Sequence, residues 1–115
     1  MKTRLTHVRA NVRDLAKAIE WYQEMFGFEV QNTWPPEDPD YVDFVSKEGA
    51  TFSIMVAVPV PSGGRFNFSV KDVDALWEEL KDSVEVVEPL FDTAYGSRKF
   101  TIRDLDGNEL GFVQG

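Results

Sequence analysis

The stretch VRDLAKAIEWY, at residues 12–22, is followed 58 residues later by a similar stretch, VKDVDALWEEL, at residues 70–80. This repetition is the strongest indication of the fold. In each copy an aspartate of the kind that caps helices is followed by apolar residues at the 3.6-residue helical spacing. The same offset of 58 residues places Gly49 on Gly107 and the apolar positions 42, 44, 52 and 54 on 100, 102, 110 and 112. We therefore expect an internal repeat of residues 1–58 and 64–115, although two unrelated units with shared binary patterning would produce some of these matches.

Each half reads as one strand, one helix and three further strands. In the first half, alternation over Leu5–Val12 predicts a half-buried strand, and a helix then runs from a cap at Asp14 to a stop at Gly27. A strand over Phe28–Trp34 follows, and two more strands form a hairpin around a glycine turn. The proline- and glycine-rich segment at residues 59–64 is typical of a linker and lies at the midpoint of the chain.

The predicted fold class is α+β, with two βαβββ modules in a single domain over residues 1–115. Even-numbered strand residues are the apolar ones, so we expect them to pack beneath the helices while odd-numbered residues line the opposite face. The two modules are then expected to form a curved mixed sheet with an open cup and with the helices on the outer face. A small molecule would bind in this cup.

Composition excludes several classes of function. The chain has no cysteine, which excludes a disulfide scaffold, a thiolate metal site and a cysteine nucleophile. No apolar run reaches the roughly 20 residues that span a bilayer, and the first residues lack the apolar core of a signal peptide. A net charge of −8 disfavours contact with a phosphate backbone. We therefore expect a cytoplasmic protein that binds neither nucleic acid nor membranes.

Four stretches, at residues 5–15, 21–28, 65–75 and 103–114, carry a family resemblance. Together they resemble the vicinal oxygen chelate superfamily, which includes glyoxalase I, extradiol dioxygenases, fosfomycin-resistance proteins and bleomycin-resistance proteins. The last stretch is similar to the family's Asp-Pro-Asp-Gly-Asn turn, with Leu105 where proline is usual. The sequence that leads into this turn from Tyr95 resembles the bleomycin-resistance members more than the glyoxalases.

The resemblance implies where a metal ion would be held. Metalloenzymes of the superfamily use four inward side chains, and the matching positions here are His7, Ser53, Arg65 and Gly111, which the offset of 58 relates in pairs. Only the histidine is a good ligand, and an arginine repels a dication. Glu109 would add one ligand at most. We therefore expect no resident metal ion or other cofactor.

Basic residues outnumber carboxylates on the predicted odd-numbered face, which would suit a small anion. The sharpest hypothesis is that Arg65, helped by His7 and Arg9, replaces the metal as the electrophilic partner of a carboxylate, enolate or phosphonate oxygen. The alternative is that these long basic side chains only pair with neighbours or reach solvent. The candidate ligand-binding residues are His7, Arg9, Trp34, Ser53, Met55, Arg65, Asn67, Tyr95 and Gly111.

His7 and Arg65 are also the catalytic candidates. His7 is the only histidine and could act as a general base, but the sequence shows no residue placed to orient it, and a lone histidine is commonly structural. Three aromatic residues, Trp34, Tyr41 and Tyr95, are expected in loops that border the cup, where they could stack on a planar ligand.

Three functions stay open at this point. The first is a metal-free protein that sequesters a small toxic molecule in the clefts of a homodimer, as bleomycin-resistance members do. The second is a glyoxalase-type lyase or isomerase that acts on an α-oxo or carboxylate compound. The third is a regulatory or partner-binding module that kept the fold and lost the chemistry, since one fold hosts unrelated activities. A homodimer is expected in any case, because edge strands and cup rims need to be covered.

Overall fold

The structure is a computed structural model that describes residues 2–60 and 64–115. The chain divides into two compact units, Met1–Val60 and Pro61–Gly115, which correspond to the two predicted halves and are called the first and second modules below. Met1 and residues 61–63 of the predicted linker lie outside the described residues.

Both modules consist of a strand, a helix and three further strands. The first module contains β1 (His7–Val12), α1 (Leu15–Phe26), β2 (Val30–Trp34), β3 (Tyr41–Phe44) and β4 (Thr51–Val56). The second module contains β5 (Arg65–Val70), α2 (Val73–Leu80), β6 (Glu85–Asp92), β7 (Arg98–Arg103) and β8 (Glu109–Gln114). The predicted α+β class and the βαβββ order of each module are confirmed.

Each module has its own four-stranded mixed sheet. The strand orders are β1-β4-β3-β2 and β5-β8-β7-β6, so the first strand of each module pairs with the last. That pair is parallel, with His7 opposite Thr51 in the first module and Arg65 opposite Glu109 in the second. The registers of the two sheets are therefore related by the offset of 58 residues that the sequence predicts.

The helices begin where the sequence predicts them. The Asp14 side chain accepts the Lys17 backbone N–H at 3.0 Å, and the Asp72 side chain accepts that of Ala75 at 3.0 Å. Gly27 ends α1 in the left-handed conformation, with φ at 69°. None of the described helices is long and apolar enough to cross a membrane.

The apolar face of each sheet packs against the helix of its own module. The ring of Tyr22, on α1, lies 5.5 Å from that of Phe44 and 5.6 Å from that of Phe52. In the second module, Trp77 on α2 lies 5.2 Å from Phe100 in the same way. Even-numbered strand residues thus meet the helices as predicted, and we call the opposite side of each sheet its polar face.

Both modules depart from this alternation at the same place. A shift of register occurs just before Asn32 in β2 and just before Glu88 in β6. Such an irregularity inserts a residue and moves the next side chain to the other side of the sheet. Asn32 consequently lies opposite Asp43, and Glu88 opposite Thr101, on the polar faces. The prediction that even-numbered residues face the helix is wrong at these two positions and at Trp34, which pairs with Tyr41 beyond the same shift.

Candidate functional site

The polar face of the first module holds four hydrogen-bonded side chains, His7, Tyr41, Asp43 and Ser53, which we call the His7 cluster. They come from β1, β3 and β4, which are neighbours in the sheet. Nε2 of His7 lies 2.9 Å from the Ser53 hydroxyl oxygen and 2.9 Å from the Tyr41 hydroxyl oxygen. The expectation that no residue orients His7 is therefore wrong, because Tyr41 begins a strand on the polar face instead of lying in a loop.

Asp43 is the common acceptor of the His7 cluster. Its Oδ1 accepts the Tyr41 hydroxyl at 2.5 Å and also accepts the hydroxyl of Ser53. Burial alone would raise the pKa of Asp43, but hydrogen bonds from Ser53, Tyr41 and Asn32 outweigh it and hold that pKa below its usual 3.8. Burial and the hydrogen bond to Asp43 raise the pKa of Tyr41. At neutral pH the carboxylate is thus ionised and the phenol keeps its proton.

The polar face of the second module holds a different set, Arg65, Glu88, Thr101 and Glu109, which we call the Arg65 cluster. One terminal nitrogen of Arg65 donates to Glu88 at 2.5 Å and to Thr101 at 3.1 Å, and the other donates to Glu109 at 2.9 Å. Burial lowers the pKa of Arg65, yet the hydrogen bonds to the two glutamates more than offset this and raise it. Arg65 therefore carries a permanent charge that two carboxylates already surround.

The two clusters occupy equivalent places in the two sheets. Adding 58 to His7, Asp43 and Ser53 gives Arg65, Thr101 and Gly111. At the position equivalent to Ser53 the second module has no hydroxyl group, since Gly111 has no side chain, and its hydroxyl group comes instead from Thr101, at the position equivalent to Asp43. Both Ser53 and Thr101 are fully buried, at 0% exposure, so each cluster is built around a hydroxyl group that the structure encloses.

Gly111 is covered by a neighbouring side chain. It lies opposite Asn67 in the pairing of β5 with β8. A Cβ atom built on Gly111 would lie 2.1 Å from Oδ1 and 3.2 Å from Cγ of Asn67. A longer side chain at position 111 is therefore incompatible with the observed position of Asn67.

The structure places the other candidate residues on the two modules separately. Trp34 is the last residue of β2 and lies opposite Tyr41, on the polar face, with 64% of its surface exposed. Arg9 follows His7 on the same face and donates to the sulfur of Met55 at 3.1 Å. Tyr95 lies in the turn between β6 and β7, outside the strands as predicted, and is 78% exposed.

Comparison with known proteins agrees with the topology. The sequence model of the glyoxalase/bleomycin resistance protein/dioxygenase superfamily matches residues 4–112. The chain belongs to this superfamily. No curated protein matches it.

Several solved structures share the fold of this superfamily member. A member of the same superfamily from Sphaerobacter thermophilus is 21% identical, with a TM-score of 0.80 over 98% of each chain. A lactoylglutathione lyase from Agrobacterium tumefaciens is 20% identical, with a TM-score of 0.74 over all of this chain and 96% of that one. TioX from Micromonospora is 22% identical, with a TM-score of 0.77 over 97% and 98% of the two chains. At these identities the likeness extends to the fold alone.

The four positions where the resemblance places metal ligands do not fit a metal ion in this superfamily member. Position 65 carries a guanidinium group, and position 111 has no donor atom. Nε2 of His7 is already engaged by Ser53 and Tyr41. Across residues 2–60 and 64–115, no group of three or more histidine, cysteine, aspartate or glutamate side chains is arranged to hold a metal. No chemical step of this site is therefore assigned to a metal.

Proposed function

We propose that the chain is a small-molecule-binding protein that works without a resident metal ion and sequesters its ligand against the polar face of the first module. The observation that carries this proposal is the Arg65 cluster. A guanidinium group held by Glu88 and Glu109 occupies a position where metalloenzymes of the superfamily need a ligand. The guanidinium already engages both carboxylates, so a dication could bind them only by displacing Arg65, and the Arg65 side chain itself offers no lone pair to a metal.

The first module offers groups that a ligand can contact. The side chain of His7 is 42% exposed, and Trp34 provides an exposed aromatic surface on the same face. We propose that an anionic group on the ligand would meet Arg9. The three other arginines on the module sheets, Arg65, Arg98 and Arg103, each pair with carboxylates, which reduces their attraction for an anion.

We further propose that the protein acts as a cytoplasmic homodimer, with the ligand at the dimer interface. Large apolar side chains are exposed on the first module, including Val58 at 78% and Val60 at 76%. A second copy of the chain would remove such groups from water. The absence of cysteine supports a reducing compartment. Sedimentation equilibrium tests the dimer, and a monomer mass at micromolar concentration would contradict it.

A glyoxalase-type lyase or isomerase acting on an α-oxo or carboxylate compound is the second candidate. The specific observation in its favour is the His7 cluster, in which an exposed imidazole is connected through two hydroxyl groups to the ionised Asp43. This arrangement suits a general base that needs no metal. Conversion of methylglyoxal with a thiol, lost in His7→Ala, would favour the enzyme over the sequestering protein.

A ligand screen with controlled metal content tests the main proposal. We expect purified protein to contain less than roughly a tenth of a metal ion per chain. We also expect that a ligand from a mixed panel of anions and cations will raise Tm by the same amount with and without EDTA. Arg9→Gln should weaken an anionic hit, whereas Arg98→Gln, which removes a paired arginine, should not. One tightly held transition-metal ion per chain, or ligand binding that requires a divalent ion, would overturn the proposal.

A further inference from the structure

We infer that Asp43 fixes the protonation pattern of His7, so that Nδ1 of His7 is left as the acceptor for the O–H group of a phenolic ligand. This inference rests on the proposed function, because the phenol would be the group that the protein holds on the polar face of the first module. His7 would touch the ligand. Tyr41, Ser53 and Asp43 would be positioning residues.

The count of hydrogen atoms in the His7 cluster determines which ring nitrogen carries the proton. Tyr41 and Ser53 have one hydroxyl hydrogen each. Ser53 donates to Oδ1 of Asp43, and the Tyr41 hydroxyl lies 2.5 Å from the same oxygen and 3.1 Å from the Ser53 oxygen, so either acceptor directs its hydrogen away from His7. The two hydroxyl oxygens therefore point only lone pairs at His7 and can only accept a hydrogen bond from it. Nε2, which lies 2.9 Å from both oxygens, must therefore be the donor. In the neutral ring this leaves Nδ1 unprotonated.

Nδ1 takes part in none of the hydrogen bonds that His7 makes with the described residues. Each of these bonds is made through Nε2. The side chain is 42% exposed, so an external group can approach the ring. An unprotonated ring nitrogen accepts from an O–H or N–H group and repels the lone pairs of a carboxylate or a carbonyl oxygen. The complementary ligand group is thus a donor.

Trp34 and Arg9 favour a phenol as the ligand group that donates to Nδ1. Trp34 faces Tyr41 across β2 and β3, so an exposed indole ring lies on the same face as the histidine. A planar aromatic ligand gains stacking energy on such a ring. Arg9, two residues along β1 from His7, would stabilise negative charge that develops on the ligand oxygen as its proton is shared with Nδ1.

The sole histidine of the chain makes the protonation pattern directly measurable. Long-range ¹H–¹⁵N correlation spectra, recorded at mildly alkaline pH without ligand, should show one ring protonated on Nε2. Asp43→Ala frees both hydroxyl hydrogens and should convert this signal into a mixture of the two forms. Asp43→Asn keeps an acceptor oxygen and should retain the wild-type pattern, as should the control Asp40→Ala, which alters an exposed carboxylate outside the cluster.

Phenol itself is the probe for the ligand class, and methoxybenzene, which has the same ring without the O–H group, is its control. We expect phenol to shift the Nδ1 resonance and methoxybenzene to leave it in place. Trp34→Ala should weaken phenol binding by roughly fivefold, the equivalent of one aromatic contact.

Three results would overturn the inference. Protonation of His7 on Nδ1 in the wild type, or a pattern unchanged in both Asp43→Ala and Tyr41→Phe, would remove the role of Asp43. An Nε2-protonated ring that does not respond to phenol would remove the ligand class. A ligand that binds only with a metal would instead contradict the proposed function, and it would leave the spectrum of the ligand-free protein as it is.

Discussion

Glu88 connects the stability of the second module to pH. Hydrogen bonds from Arg65 and then from Thr101 lower the pKa of Glu88 below its usual 4.5, against the smaller effect of burial. A carboxyl whose pKa is lower in the folded than in the unfolded chain contributes its full stability above the unfolded value. That contribution is lost as the pH falls through the lower, folded value. The expected consequence is a loss of stability below about pH 4.5 that depends on this side chain.

Replacement of Glu88 by glutamine tests this dependence. Glu88→Gln should be less stable than the wild type near neutral pH, and the difference should shrink as the pH falls from about 5 to about 3. Urea unfolding midpoints measured across this range give the comparison. Glu79→Gln, an exposed substitution on α2, is the charge-matched control. Parallel pH profiles of the wild type and Glu88→Gln would show that the pairing with Arg65 does not contribute.

At the residue scale, the sequence predicted His7, Ser53 and Arg65 as site residues but did not place Tyr41 and Glu88 beside them. His7 and Arg65 could be located because they begin the first strand of each half and match the family motif. Glu88 was missed because a bulge reverses its side of the sheet, and a bulge has no signal in binary patterning. Tyr41 was expected in a loop because the predicted start of β3 was one residue too late, and that one residue puts Tyr41 in the strand and on the polar face.

At the element scale, the close contact between β5 and β8 depends on the glycine at position 111. Gly111→Ala would place its Cβ 2.1 Å from Oδ1 and 3.2 Å from Cγ of Asn67, so the Asn67 side chain would have to leave its observed position. We expect a loss of about 1 kcal/mol in the free energy of unfolding. The double variant Gly111→Ala with Asn67→Ala should recover most of it, as measured by a double-mutant cycle in urea. Simple additivity of the two single changes would contradict the contact.

The ends of the helices show which parts of an element the sequence can specify. Asp14, Asp72 and Gly27 were predictable because each acts through its own backbone neighbours. The end of α2 was not, because it ends at Lys81 in a right-handed conformation, without the glycine that marks the end of α1. The start of α2 also depends on tertiary structure. The Gln114 side chain, from β8, accepts the Val73 backbone N–H at 2.9 Å, and local patterns cannot reveal such a bond.

At the scale of the whole molecule, the two modules share a topology and differ in the chemistry of their polar faces. In the Arg65 cluster the guanidinium pairs with both carboxylates, which is the behaviour of a structural ion pair. The His7 cluster leaves a partly exposed imidazole ring on its surface. Under the proposed function, the polar face of the second module contributes stability and that of the first contacts the ligand. Patterning predicts the shared topology, but the difference in chemistry depends on which side chains the bulges and strand starts bring together.

The net charge of −8 makes the stability of the whole chain sensitive to ionic strength. Mutual repulsion of the excess carboxylates destabilises the compact state, and salt screens it. We expect NaCl to raise Tm. MgCl₂ or MnCl₂ at the same ionic strength should raise it by the same amount, because Glu88 and Glu109 already pair with Arg65 and do not bind a divalent cation. Arg65→Met leaves Glu88 and Glu109 without that cation, so this variant should gain more from the divalent salts than from NaCl. An additional rise in the wild type with MnCl₂ that EDTA removes would reveal a specific divalent site and contradict this account.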